Sequence, residues 1–146
     1  MAITKTIEIN APVARVFDWV TDPEKHKQWL KGIESTTFAG DPHRVGTKFV
    51  QRIKEGARVN DYDGEVTAFE QDRRLGIILS GKAFTVAVDY QFEPITADQT
   101  RLTFSCDFQT PSAFVKFLMR VFGWFTRRMF AKQFDKLREL AEGRVA

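Results

Sequence analysis

A chain of 146 residues, 43% hydrophobic and 28% charged, has the size and balance of one domain able to bury a core, so residues 1–146 are expected to fold as a single unit. Its 22 basic and 19 acidic residues leave a net charge of +3, but they interleave along most of the chain, which argues against the phosphate-tracking stripe of a nucleic-acid binder. The lone Cys106 excludes an internal disulfide, no apolar run reaches membrane-spanning length, and no signal-like segment opens the sequence, so the expected compartment is the cytoplasm.

Ile3, Ile7 and Ile9 alternate with Thr4, Thr6, Glu8 and Asn10, which predicts a half-buried first strand. Ala11-Pro12 ends it. Val13, Val16, Phe17 and Val20 then recur at helical spacing, with Pro12 suited to a first helical turn. Thr21-Asp22-Pro23 stops that helix, and Asp22 can cap a second short one running to about Trp29.

From Ile33 to Gln109 the chain reads as six strands, at approximately 33–39, 46–54, 58–69, 74–80, 84–93 and 100–109. Gly40-Asp41-Pro42, Glu55-Gly56, Gln71-Asp72, Gly81-Lys82 and Thr96-Ala97-Asp98 mark the breaks. Phe84, Val86, Val88, Tyr90 and Phe92 share one face of the fifth of these strands, and Leu102, Phe104, Cys106 and Phe108 one face of the sixth. Short turns between consecutive strands imply an antiparallel meander.

Pro111 and Ser112 introduce a helix that continues to about Glu142, with Gly143 as its stop. At about 1.5 Å per residue it would run roughly 45 Å and must cross the whole sheet. Phe114, Leu118, Val121, Phe122, Phe125 and Met129 form one stripe on it, whereas Phe130, Phe134, Leu137 and Ala141 fall on a rotated one. A kink or looser segment between Gly123 and Arg127 is therefore expected. Lys116, Arg120, Arg127, Arg128 and Lys132 make this stretch cationic beside Phe117 and Trp124. Such a face can meet an anionic membrane surface or a homodimer mate.

The order of strand, two short helices, six strands and long final helix resembles the START-like, Bet v 1-like (SRPBCC) superfamily. Its polyketide cyclase/dehydrase branch is similar at Ile7-Glu8-Ile9-Asn10-Ala11-Pro12, at Val16-Phe17-Asp18, at Val20-Thr21-Asp22-Pro23-Glu24 and at Trp29. The likeness continues at Glu65-Val66, Arg73-Arg74-Leu75, Tyr90-Gln91-Phe92-Glu93-Pro94 and Thr100-Arg101-Leu102-Thr103. It implies an α+β helix-grip fold, a curved antiparallel seven-stranded sheet around a long C-terminal helix, with a cavity between them. It carries over no set of catalytic residues.

Such a cavity would be lined by inward strand positions and one helical face: Trp29, Phe49, Gln51, Tyr90, Phe104, Cys106, Phe114, Leu118, Phe122 and Phe125. Each of these reads equally well as plain core. Asp61, Asp63 and Glu65 share one face of a strand, and alternation directs them to water, leaving Tyr62 beside Tyr90 as a polar anchor. Arg52 and Arg58 read as surface cations. His26, among Glu24, Lys25, Lys27 and Gln28, and His43, in a loop, lack the spacing of metal ligands, and no Gly-x-Ser-x-Gly elbow occurs. Neither a metal nor another cofactor is expected.

Three functions stay open on these residues. The first is a non-catalytic binder or carrier of a hydrophobic small molecule, such as a lipid, an isoprenoid or an aromatic polyketide-like compound. The second is a polyketide cyclase/dehydrase-type enzyme, which needs a titratable group inside the cavity. The third is an interaction module using the last helix.

Overall fold

The computed structural model of the protein describes residues 2–30, 32–55, 57–81, 85–108 and 131–143. Strand β1 (Ala2–Ile9) leads into helices α1 (Val13–Thr21) and α2 (Pro23–Trp29), and six strands follow: β2 (Ile33–Phe38), β3 (Lys48–Glu55), β4 (Arg58–Glu70), β5 (Arg74–Ser80), β6 (Thr85–Thr96) and β7 (Gln99–Phe108). The C-terminal helix, α3, is described over residues 131–141. All seven strands form one antiparallel sheet in the order β1-β7-β6-β5-β4-β3-β2. The fold is an α+β helix-grip.

Local chemistry explains the breaks. Pro12 stands at the N-cap of α1, one place outside the helix rather than in its first turn, with extended backbone. The Asp22 carboxylate accepts from the amides of Glu24 and Lys25, and Pro23 opens α2 where no amide is needed. The β4–β5 turn places Asp72 at φ 59°, a left-handed position that Asp tolerates. Two strand ends differ from expectation by more than one residue. β3 starts at Lys48 because Gly46, at φ 92°, still belongs to the turn, and β6 runs on through Pro94 because a bulge between Pro94 and Thr96 absorbs the missing donor.

The core lies on one face of the sheet. Ile7 and Ile9 of β1, Val86, Tyr90 and Phe92 of β6, and Leu102, Phe104 and Cys106 of β7 are buried there with Val16, Phe17 and Val20 of α1. Phe17 meets Phe92 edge-on at 5.0 Å. From α3 come Phe134, Leu137 and Ala141, members of the second apolar stripe of the last helix. Phe134 packs between Trp29 at 5.7 Å and Phe104 at 5.0 Å. Two polar ties fix the end of α3 to β1: Arg138 Nε donates to the Glu8 carbonyl, and the Asn10 amide donates to Glu142 Oε2. Gly143, at φ 73°, closes the helix. The expected kink near Gly123 and the basic aromatic face from Lys116 to Arg128 lie outside the described residues.

Candidate functional site

The concave face is organised in rows set by strand register. Thr36, Gln51 and Tyr62 lie abreast on β2, β3 and β4, and Phe38, Phe49 and Gly64 form the next row. Because residues directly opposite share a face, each row delivers its side chains to the same side. Asp61, Asp63 and Glu65 therefore point the other way, where Asp61 pairs with Arg52 at 3.1 Å and Glu65 with Lys48. Arg58 is exposed.

A cavity of about 50 Å³ opens under these rows, at the junction of α1 and α2 with the sheet. Val20, Thr21, Pro23 and His26 form its helical side, and Thr36, Phe38, Phe49, Gln51, Val66, Leu75, Ile77 and Tyr90 its sheet side. Pro42 and His43, from the β2–β3 loop, and Phe69 complete the rim. There His43 stacks on Phe69, with ring centres 4.9 Å apart and planes 12° from parallel. The described lining residues include no Asp, Glu, Lys or Arg. The volume is well below the roughly 300–1,000 Å³ of pockets that enclose a drug-sized ligand.

Three residues expected at the cavity line it: Phe49, Gln51 and Tyr90. Gln51 is buried and donates from Nε2 to Thr36 Oγ1 at 3.3 Å. Tyr90 is buried against Phe104, and burial pushes its phenol well above the usual range, with the Cys106 thiol adding to the effect. Four others are buried outside this lining. Trp29 and Phe104 clamp Phe134 of α3, and Cys106 sits on β7 within the core, its thiol pushed up to about 12 by burial and then by Asp107. The Tyr62 ring covers Gly81. Phe114, Leu118, Phe122 and Phe125 lie outside the described residues.

His26 is the cavity residue that sequence patterning passes over. It projects from α2 on the same side as Trp29, three residues on, and the two rings meet edge-on at 5.0 Å. Although the residue as a whole is half-buried, its Nε2 is closed off from solvent and has no hydrogen-bond partner. Desolvation lowers its pKa to about 4, so the imidazole is neutral at pH 7. Among the described residues no three potential metal ligands gather, and no helix is long and apolar enough to cross a membrane.

Comparisons with solved structures place this architecture. The chain is 13% identical to the Zhui aromatase/cyclase from Streptomyces sp. R1128, with a TM-score of 0.77 over 100% of this chain and 96% of that one. Protein TTHA0849 from Thermus thermophilus is 17% identical, with a TM-score of 0.75 over the full length of both chains. A START superfamily protein from Mycobacterium smegmatis is 16% identical, with a TM-score of 0.67 over 99% and 96%. At such identities the likeness is one of fold. No protein of curated function matches in sequence. Residues 1–142, however, match the family model described as polyketide cyclase / dehydrase and lipid transport. The chain thus belongs to that family, within the SRPBCC, Bet v 1-like superfamily.

Proposed function

We propose that the protein binds and carries a hydrophobic small molecule in the cavity between the concave sheet and its helices. The observation that carries this reading is the lining, whose described residues form a wall of aromatic and aliphatic side chains with a few neutral polar groups and no formal charge. Family membership is consistent with it. Because the cavity is small as it stands, a lipid, isoprenoid or polyketide-like molecule would enter by displacing the rim, where Pro42, His43 and Phe69 meet.

Native mass spectrometry of protein purified from cells, followed by titration with a panel of apolar fluorescent probes, tests the reading. A retained small molecule or saturable probe uptake supports it. A chain that retains nothing and takes up no probe overturns it.

His26 favours a second reading, catalysis of the polyketide cyclase/dehydrase kind. A neutral imidazole within a closed site has the proton-transfer capacity that such chemistry needs, and no carboxylate stands beside it among the described lining residues. Formation of a cyclised product from a poly-β-ketone substrate, lost in His26→Phe, would support this alternative. The membrane or homodimer contact expected of the last helix rests on Lys116, Arg120, Trp124 and Arg127, outside the described residues.

A further inference from the structure

Three of the polar side chains around the cavity have protein partners. Gln51 donates to Thr36, and the Thr21 hydroxyl donates to the Phe17 carbonyl at 2.8 Å. His26 stands apart, because its Nε2 is shut off from solvent without any partner while lining the space. A buried polar atom in that state carries a desolvation cost that one well-placed hydrogen bond recovers.

The rest of the lining restricts what could make that bond. Among the described lining residues no cation would neutralise a carboxylate, and no anion would neutralise an amine. Burying either charge here without a partner is strongly unfavourable. Phe38, Phe49, Phe69, Leu75 and Ile77 offer only apolar contact. A hydroxyl suits His26 with either ring tautomer, since it both donates and accepts.

We propose that His26 is the polar anchor of the cavity, and that its ligand presents an uncharged, compact apolar end carrying one hydroxyl group, phenolic or alcoholic, hydrogen-bonded to His26 Nε2. This inference rests on the ligand-binding reading above and narrows its chemistry. The bond positions the inserted end between α2 and the sheet. Bulkier parts of the ligand project past the His43–Phe69 stack.

Phenol, toluene and benzoate are nearly matched in size and differ in this one respect, so titrating the full chain with each, followed by NMR, tests the inference. Phenol should bind about fivefold to tenfold more tightly than toluene, the usual worth of one net hydrogen bond, and benzoate should bind more weakly than both. His26→Phe should keep toluene binding and lose the preference for phenol, whereas His26→Gln, which returns a polar group at similar reach, should restore part of it. Because a variant could disturb α2, the wild-type chain with ¹⁵N-labelled histidine supplies an independent readout: phenol, but not toluene, should shift the His26 ring-nitrogen resonances.

Equal affinity for phenol and toluene, a preference that survives His26→Phe, tight benzoate binding or unmoved ring-nitrogen resonances would each overturn the inference and leave the cavity reading standing. Failure of all three probes and of the fluorescent panel overturns the cavity reading, and this inference with it.

Discussion

The ring of Phe49 occupies the place where a side chain on Gly64 would be. The two residues face each other across β3 and β4, and a Cβ at position 64 would stand 2.2 Å from two atoms of the ring. Phe49 is 4% exposed and tilts against Phe38 at 5.2 Å, so it has little room to yield. Gly64→Ala should therefore destabilise the fold by about 1–3 kcal/mol, as overpacking does. Chemical denaturation measures this, and in a Phe49→Ala background the same substitution should cost much less. Equal costs in both backgrounds would show that the ring is not the obstacle.

His26 makes stability depend on pH. Its folded pKa of about 4 lies below the ordinary 6.5, so between those values the unfolded chain binds the additional proton. The contribution is fully present above about pH 6.5 and declines as pH falls towards 4, by up to about 3 kcal/mol. Among the described lining residues no Asp or Glu stands to stabilise a charged ring there. Comparing unfolding free energies of wild type and His26→Phe from pH 7.5 to 4 should show wild type losing stability relative to the variant as the pH falls. Parallel curves would contradict the buried neutral imidazole.

Trp29 should tolerate even a conservative change poorly. Its indole Nε1–H donates at 2.9 Å to the carbonyl of Trp19, whose usual helical donor would be the amide of residue 23. That residue is Pro23, which has none. The Trp29→Phe variant keeps an aromatic ring against Phe134 but removes the substitute donor, and we expect a loss of about 1–3 kcal/mol, read by urea denaturation.

The Cys106 thiol should be inert in the native state. It is 4% exposed with its pKa pushed up to about 12, so the reactive thiolate is scarce at pH 8. An aromatic disulfide reagent should label it only as fast as the chain opens, and at once in denaturant. Rapid labelling of the folded protein would mean that the space behind Tyr90 is open to solvent.

Strong alternation made most of the architecture readable from sequence. β6 and β7 keep Val86, Tyr90, Phe92, Leu102, Phe104 and Cys106 buried on the expected faces, because a period of two leaves a strand little choice once one face is apolar. The same argument directs the carboxylates of β4 to solvent. Cavity membership was harder, since inward-facing residues all look alike in one dimension. Register and the placing of α2 divide Phe49, Gln51 and Tyr90, at the space, from Trp29 and Phe104, at the α3 clamp. His26 was hidden by its charged neighbours on a seven-residue helix. Its three-residue spacing from Trp29 was the available signal, one that gains meaning only when the buried face of α2 is known.

The pairing of β1 with β7 carries a consequence for how the protein comes to exist. Thr100, fully buried, donates its hydroxyl to the carbonyl of Ala11 at 2.8 Å across a sequence separation of 89 residues. Within this fold β1 is made well before β7 and must therefore wait for it before it has a neighbour. Until then the hairpins from β2 to β6, which carry the sheet side of the cavity, can assemble, but β1 stays unpaired and its tie between Thr100 and Ala11 is open. The complete seven-stranded sheet thus exists only once β7 has been made.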